Sequence, residues 1–413
     1  MTRRAPLALL AFRALVAFVG PAAADERGTA HASLQFYVQP APSDALFIIT
    51  PVVSGEAAAL RWLKFDVSWS ADVVTGATPR TYGRPDVVTA ATRFSEFRNT
   101  LGVGASAAAG PVTISAGYAC GTANDYRSHL LRVGAVVDLL QHNTILAANY
   151  DHSINRICDL DQGNIPLLLR QPLDSSRGCF AATPGLTEES LDVDTVELSA
   201  TQTVTRSLIA SLVGSYQHLS GFQSSPYRRV RLFEGEFQAQ ESHPRTRDRG
   251  AITARVRYAI ERLHATLGGD LRLYGDTWGI KAITGEASWQ QPFGRQSNWR
   301  FVARLRGYVQ SGASFYRDAG EANSYEIAGP AGNYFTADQE LAPLADLFVG
   351  GRFLYAAKRP AGQRFIRMFT EGEVALFLDY MKIFALTPEP PNAPRTRGFV
   401  SALLLGASVT GHF

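Results

Sequence analysis

Hydrophobic and polar side chains alternate almost without interruption in three segments between residues 251 and 310. In the first, 251–260, the hydrophobic positions are Ile252, Ala254, Val256, Tyr258 and Ile260. Segments 263–274 and 299–310 repeat the pattern, with arginines at several of the polar positions. A period of two residues predicts β-strands with one apolar and one polar face. Each segment is about as long as a tilted strand must be to cross the hydrocarbon of a bilayer.

The same alternation continues along most of the chain. It predicts strands at 32–39, 45–54, 60–73, 94–107, 112–120, 126–139, 144–152, 191–204, 208–220, 251–260, 263–274, 280–291, 299–310, 346–356, 370–382 and 397–413. An even number of strands is typical of single-chain outer-membrane barrels. We therefore predict an all-β fold, a single transmembrane antiparallel β-barrel of about sixteen (14–16) strands.

The connections between these strands fall into two length classes. The short ones are 108–110, 141–143, 205–206 and 261–262, and the long ones are 75–93, 153–190, 221–248, 311–345 and 387–394. Short turns on one side and long loops on the other predict a barrel with periplasmic turns and extracellular loops. A soluble sandwich, the alternative, has no reason to alternate loop length in this way.

The two ends of the chain indicate export to the outer membrane of a Gram-negative bacterium. Residues 1–24 carry basic residues, an apolar run and a small-residue cleavage site, which predicts a signal peptide and a mature barrel domain of residues 25–413. The last strand ends on Phe413, which resembles the assembly signal read by the barrel assembly machinery. The expected partners are therefore the lipid bilayer and that machinery. A net charge of +3 without a basic tract argues against nucleic-acid binding.

Cysteine and motif content add two predictions. Cys158 and Cys179 lie in one long polar stretch, and in an oxidising compartment a disulfide between them would close that loop. Cys120 stands apart, and the alternative is three free thiols. No CxxC, HExxH or glycine-rich phosphate loop occurs, so the sequence predicts no cofactor.

The polar face of the strands is rich in charge, and we expect it to line the lumen. The predicted lumen residues are Arg255, Arg257, Arg272, Arg300, Arg304, Arg306, Asp270 and Glu286. Walls of opposite charge across a pore set a transverse field that selects among ions, here with preference for small anionic solutes. The alternative is a set of internal salt bridges that fill a narrow barrel. Loop 311–345 is the candidate for a loop that folds into the lumen.

A candidate cation site lies in the predicted outer loops. Two near repeats, 72–78 and 86–92, flank one loop and place Asp72, Thr75 and Asp86 close together. With Asp125 and Asp276 from other loops they would offer oxygen ligands to a hard cation such as calcium. The alternative is a stable hairpin with β-branched strands and aspartates at its turn.

Six short motifs occur in a fixed order along the chain. They are DVVTGAT at 72–78, NDYRS at 124–128, SPYR at 225–228, HPRTR at 243–247, DTWGI at 276–280 and FYRD at 315–318. In this order they resemble the bacterial family catalogued as domain of unknown function 3570. The resemblance implies an outer-membrane β-barrel and supplies no catalytic residues.

These observations leave three functional hypotheses. The first is a porin-like passive or substrate-selective channel, monomeric or trimeric. The second is a closed structural or partner-binding barrel that works through its extracellular loops. The third is a hydrolase at the rim, for which the candidate catalytic segment is Asp151-His152-Ser153. Neighbours on a strand point to opposite faces, so His152 and Ser153 are not expected to share a site, and we predict that the chain is not an enzyme.

Overall fold

The computed structural model describes residues 28–40, 46–76, 87–89, 94–173, 178–181, 183–232, 237–294, 296–316, 334–336, 338–358, 371–386 and 399–413. The predicted signal peptide, 1–24, lies outside this part of the chain. So does Asp86 of the candidate cation site.

Sixteen antiparallel strands close into one barrel, which confirms the predicted fold. They are β1 (Gly28–Gln39), β2 (Leu46–Leu60), β3 (Leu63–Gly76), β5 (Phe94–Ala109), β6 (Val112–Thr122), β7 (Tyr126–Leu139), β8 (Thr144–Leu160), β9 (Leu186–Thr205), β10 (Leu208–Gly221), β13 (Thr246–Ile260), β14 (Ala265–Asp276), β15 (Lys281–Phe293), β16 (Trp299–Gln310), β17 (Leu344–Lys358), β18 (Glu371–Ala385) and β19 (Phe399–His412). The first strand pairs with the last, with Ala32 opposite Val409. Closure leaves no unpaired edge.

Three further strands form a small separate sheet, in the order β12-β11-β4. They are β4 (Val87–Thr89), β11 (Arg228–Leu232) and β12 (Phe237–Gln240). Short 3₁₀ helices span Leu167–Leu169, Cys179–Ala181, Glu261–Leu263 and Gln339–Leu341. No helix in the described residues is long and apolar enough to cross a membrane.

The two faces of the barrel wall differ as the alternation requires. Leu271 and Leu273 on β14 and Leu305 on β16 are about half exposed, although the sheet is closed, because they point outward. Their neighbours Asp270 and Arg306 are paired with charged side chains of adjacent strands and point inward. An apolar outer face with no protein against it is what a lipid environment demands of a barrel.

The two ends of the barrel also differ. Both termini of the barrel and tight turns such as 61–62 and 206–207 lie at one end, the short-turn end. The long connections lie at the other, the long-loop end. The difference in length is a tendency with three exceptions, as the predicted strand bounds imply. The connections 123–125 and 277–280 at the long-loop end are short, and the connection between β17 and β18 at the short-turn end is longer.

Strands β8 and β9 extend further than predicted. The sequence placed a loop at 153–190, whereas β8 continues to Leu160 and β9 begins at Leu186, paired with it. The alternation breaks down there because the strands rise beyond the apolar band, where neither face needs to be apolar. Hydrophobic periodicity cannot mark such an extension.

Candidate functional site: a charged lumen beneath packed loops

One side of the lumen is basic. On β13 to β17, the inward-facing bases are Arg247, Arg249, Arg255, Arg257, Arg272, Arg300, Arg304, Arg306 and Arg352, and the inward-facing acids are Asp270, Asp276, Glu286 and Asp346. The register places all eight residues predicted to line the lumen on this inner face, and their role in a pore stays a prediction. The strand register therefore gives this wall more inward-facing bases than inward-facing acids.

The opposing side is acidic. On β2 to β9, the inward-facing acids are Glu56, Asp66, Asp72, Asp138, Asp151, Asp159, Glu189 and Glu197, and the inward-facing bases in the described part are Lys64, Arg98 and Arg132. A basic wall facing an acidic one is the arrangement that produces a transverse field.

Most arginines of the basic wall are held by carboxylates. Arg257 pairs with Asp270, with 3.2 Å between Nη2 and Oδ2. Arg300 donates to Glu373 on β18 across β17, with 2.8 Å between Nη2 and Oε2. Contact across an intervening strand is possible because side chains converge on the concave face of a barrel. These pairs reduce the net charge of the wall, as the salt-bridge alternative anticipated, but they do not fill the lumen.

Glycines let two arginines lie flat on the wall. Arg304 is opposite Gly350, which is opposite Asp379, and Arg304 Nη2 reaches Asp379 Oδ2 at 3.1 Å over the glycine. A Cβ on Gly350 would lie 2.3 Å from the Asp379 carboxylate. Arg257 crosses Gly268 in the same way, 3.0 Å from where a Cβ would be. The arginines therefore extend along the wall instead of into the lumen.

Charged side chains in the middle of the barrel remain open to solvent. The side chain of Arg132 is 62% exposed and that of Arg255 is 50% exposed. These residues face inward, so their exposure measures unfilled space inside the barrel. A wall of sixteen strands is wide enough to leave an aqueous channel.

The long-loop end is covered by a layer of packed loops. This loop layer comprises the described residues 161–173, 222–232, 237–245, 277–280, 311–316, 334–336 and 338–343 together with β4. β4 lies between β3 and β5 yet pairs with β11, which lies between β10 and β13. Because four strands separate β5 from β10 around the barrel, that pairing reaches across the mouth.

The described end of loop 311–345 packs against the top of β16, and its entry into the lumen stays a prediction. Inward-facing Gln310, at the top of β16, donates through Nε2 to the carbonyl oxygens of Glu340 and Ala342, at 2.8 and 2.7 Å. Trp278, Ile280 and Phe315 belong to the buried hydrophobic cluster of this layer.

A buried ion network joins two of the loops. The Glu241 side chain has no exposure and accepts hydrogen bonds from the backbone N–H of Ser225 at 2.7 Å and the hydroxyl of Thr336 at 2.8 Å. Arg228 donates to both of its oxygens at 3.2 Å and also pairs with Asp338. Burial alone would raise the pKa of Glu241, but nearby His243 and Arg228 outweigh it and lower that pKa to about 2.

His243 completes this network. Its Nδ1 lies 3.0 Å from the carbonyl oxygen of Gln223, so Nδ1 must carry a proton and donate. Its Nε2 lies 3.4 Å from Glu241 Oε2. At that distance the ring lies beside the carboxylate without a hydrogen bond, since the buried Nε2 has no hydrogen-bond partner among the described residues.

A second network anchors the layer to the barrel. Arg247 on β13 pairs with Asp276 on β14, and its guanidinium carbon lies 4.0 Å from the ring centre of Trp278. Asp276 Oδ1 accepts the backbone N–H groups of Trp278 and Ile280 at 3.0 and 2.9 Å. The Trp278 ring packs edge-on against Phe315, with centroids 5.1 Å apart.

The candidate cation ligands have separate partners. Asp72 accepts the Thr50 hydroxyl at 2.7 Å, Asp125 accepts the Tyr227 hydroxyl, and Asp276 holds Arg247. The described residues contain no group of three or more His, Cys, Asp or Glu side chains placed to hold a metal ion. A cation site that includes Asp86 and the side chain of Thr75 stays a prediction, since neither is described.

Two other predicted features lie on the neighbouring strands. Cys158 and Cys179 are bonded to each other, and Cys120 is a free cysteine. His152 is 2.8 Å from Asp194 on the outer face, whereas Ser153 hydrogen-bonds to Asn155 on the inner face. His152 and Ser153 therefore do not share a site.

Sequence reasoning missed the loop layer as a unit. Glu241, Thr336 and Asp338 belong to no regular pattern, and Arg228 and Asp338 are 110 residues apart. One signal was available. Residues of five of the six motifs lie in or beside the loop layer, including Asp125, Arg228 and Trp278.

The motif order is matched by a family model over residues 44–353, more than half of the chain. The chain belongs to the family described as protein of unknown function DUF3570. A search of the curated proteins finds no match. Because the family is one of unknown function, membership assigns no role to the chain, and the role is argued from the site.

Several solved structures resemble the chain at low identity. One is a bacterial polysaccharide outer membrane secretin, with 9% identity, coverage of 93% of this chain and 98% of that chain, and a TM-score of 0.47. A second is Pseudomonas aeruginosa OccK2 (OpdF), with 8% identity, coverage of 94% of this chain and 98% of that chain, and a TM-score of 0.42. A third is Pseudomonas aeruginosa OccD3 (OpdP), with 7% identity, coverage of 94% of this chain and 91% of that chain, and a TM-score of 0.44. All three scores are below 0.5, so none of these likenesses bears on what the chain binds or transports.

Proposed function

We propose that this DUF3570 barrel is a porin-like channel of the bacterial outer membrane that prefers small anionic solutes and is narrowed at its mouth by the loop layer. The observation that carries the proposal is the pairing of a basic wall with an acidic wall around a lumen whose charged side chains stay half exposed. Such a field acts on a passing ion over a few ångströms, less than the screening length of about 8 Å at physiological salt.

The outer-membrane location is part of the same proposal. It is supported by the closed barrel, by the apolar outer face and by the segregation of short turns from long loops. In this orientation the loop layer faces the cell exterior and the short-turn end faces the periplasm.

The test is single-channel conductance of the refolded mature chain in a planar bilayer, with the anion-to-cation permeability ratio taken from the reversal potential. We expect steady steps with anion preference. In the double variant Arg304→Ala/Arg306→Ala the preference should fall severalfold or reverse, because Asp379 and Asp346 lose their partners and attract cations. The matched control is Arg206→Ala, in an exposed turn at the short-turn end.

A reversal potential equal to wild type in the double variant would remove the basic wall as the selectivity element. A folded, heat-resistant wild-type barrel that never conducts would favour the second candidate, a closed barrel that works through its loops. One observation supports that candidate, namely the burial of Glu241 and Trp278 in a packed layer across the mouth.

A further inference from the structure

On β8 to β13 the outer face carries a row of polar residues directly above its last tyrosines, and on β8 the exposed Ile154 follows above that row. Tyr150 on β8 and Tyr216 on β10 are the last aromatic residues of the apolar band, 42% and 51% exposed. Tyrosine concentrates at the level of the lipid headgroups because its ring is apolar and its hydroxyl is polar. The residues directly above Tyr150 and Tyr216 therefore face headgroups.

Those residues form an alternating belt. His152, Asp194, His218 and Asp248 are opposite one another in turn across β8, β9, β10 and β13. We call these four residues the outer belt. Each aspartate accepts a tyrosine hydroxyl from the row below, both at 2.6 Å.

The aspartates also fix the orientation of the imidazoles. His152 Nδ1 lies 2.8 Å from Asp194, and His218 Nδ1 lies 2.7 Å from Asp248. A ring held through Nδ1 turns Nε2 away from the carboxylate that holds it, and that nitrogen is left for another partner. The belt thus presents two positioned imidazole nitrogens at headgroup level.

Two arginines lie above the belt on the same face. Arg127 on β7 is directly opposite Arg156 on β8, and both are exposed. Like charges directly opposite on paired strands repel and destabilise the sheet. Within the described residues neither guanidinium has an ion-pair partner, and Arg127 only stacks on the Phe180 ring at 4.0 Å. A shared anion would remove the repulsion.

The charge around the arginine pair is mixed. Glu188 and Asp192 on β9 are exposed on the same outer face. Arg156 is four residues above His152 along β8, roughly 13 Å at the rise of an antiparallel strand. That span is several times the size of one phosphate group. A phosphorylated sugar headgroup matches both observations, because its phosphate would lie at the arginine pair and its hydroxyl groups can donate to the carboxylates and to the belt.

We propose that Arg127 and Arg156 bind a phosphate of a phosphorylated glycolipid in the outer leaflet, and that the two belt histidines accept hydrogen bonds from its sugar hydroxyls. Guanidinium groups recognise phosphate oxygens in pairs. An imidazole that donates from Nδ1 to a carboxylate has its lone pair on Nε2, where it accepts a hydroxyl proton. A lipid is favoured over a soluble anion because the site continues the lipid-facing band directly above Tyr150. The inference rests on the proposed function in one respect: the barrel must sit in the outer membrane with its loops outward.

The test measures lipid retention by the refolded mature chain with native mass spectrometry in detergent. The probes are lipid A with two phosphates, its monophosphoryl form, a phosphate-free glycolipid and inorganic phosphate. For Arg127→Ala/Arg156→Ala we expect about tenfold weaker retention of the bisphosphoryl form, as for the loss of two charge-assisted contacts. The control Arg206→Ala/Arg262→Ala removes the same charge from exposed turns at the other end.

A second variant, His152→Gln/His218→Gln, keeps the size and polarity of the belt and should weaken retention to a smaller degree. Equal retention of phosphate-free lipid, or an Arg127→Ala/Arg156→Ala variant that retains lipid like wild type, would overturn the proposal. So would a site that takes up inorganic phosphate but no lipid. Conductance recorded on the same preparations distinguishes the channel proposal from the lipid-binding proposal. A barrel that conducts but shows no lipid preference would refute only the lipid-binding proposal.

Discussion

Glu241→Gln is the substitution that should loosen the loop layer most directly. The side chain is fully buried and its two oxygens accept hydrogen bonds from Arg228, Thr336 and the backbone of Ser225. Glutamine has nearly the same shape but places an NH₂ group where one of those oxygens was. That group would meet donors at either position, namely Arg228 with the Ser225 N–H at Oε1, or Arg228 with the Thr336 hydroxyl at Oε2.

The expected cost follows from the burial of the pair. Removing one partner of a buried ion pair costs about 3–5 kcal/mol, because the other charge is left uncompensated. The lowered pKa of Glu241, about 2 against an ordinary 4.5, corresponds to about 3 kcal/mol in favour of the carboxylate and agrees with that range. At about 1.4 kcal/mol per factor of ten, the open form of the loop layer should become about a hundredfold to a few thousandfold more populated.

Two assays report that population. Trypsin should cleave the folded variant faster after Arg228 and Arg245, and single-channel records should show longer or more frequent openings. The matched control is Glu189→Gln, which removes a carboxylate 3.1 Å from Arg245. Arg245 is 61% exposed in that pair, and exposed pairs contribute only about 0–1 kcal/mol, so the control should behave like wild type.

Equal cleavage and equal opening in Glu241→Gln and Glu189→Gln would refute the role assigned to the network. If Glu241→Gln does not fold, wild-type protein answers the same question through pH. The folded pKa of Glu241 is depressed, so its stabilisation is present above pH 4.5 and is lost as the pH falls toward about 2. Pepsin is active in that window, and pepsin cleavage that stays flat there, relative to an unfolded substrate, would also count against the network.

Two further substitutions test the wall and the loop end of β8. Gly350→Ala should displace the Asp379 carboxylate and release Arg304 into the lumen, which costs about 1–3 kcal/mol for overpacking and lowers single-channel conductance in a barrel that still resists heat. Asp159 lies well beyond the apolar band, and its burial raises its pKa to about 6 despite a hydrogen bond from Gln240. Because the folded pKa is raised above 3.8, the stability gained by protonation is full below that pH and lost as the pH rises through about 6. Asp159→Asn should therefore protect the loop layer from proteolysis at pH 8, measured with trypsin, and make no difference at pH 3.5, measured with pepsin.

The barrel could be predicted from sequence because each strand carries its own signal. In 251–260, for example, Ile252 and Val256 mark the lipid face and Arg255 and Arg257 the lumen face within one short window. Alternate residues of a strand face inward and outward, so each face can be predicted without knowing which distant residues it contacts. The wall charges are predictable for the same reason.

The loop layer could not be predicted because its contacts are long-range and aperiodic. From the sequence, Asp276 is predicted to be a loop carboxylate available to a cation. In the fold its carboxylate pairs with Arg247 and accepts hydrogen bonds from two backbone N–H groups. The alternation also does not reveal that Gly350 makes room for Arg304. A glycine at an inward-facing position does not indicate which neighbouring side chain will cross it.

The wall and the loop layer should control different properties of the channel. Arg304 and Arg306 lie on the barrel wall, held by carboxylates of β18 and β17, and the described contacts of Glu241 involve only the loop layer. Loss of the loop network should therefore change how often the channel opens without changing which ion it prefers. A reversal potential that shifts in Glu241→Gln as much as in Arg304→Ala/Arg306→Ala would mean that the loops themselves are the selectivity filter. The basic wall would then be a stabilising set of ion pairs.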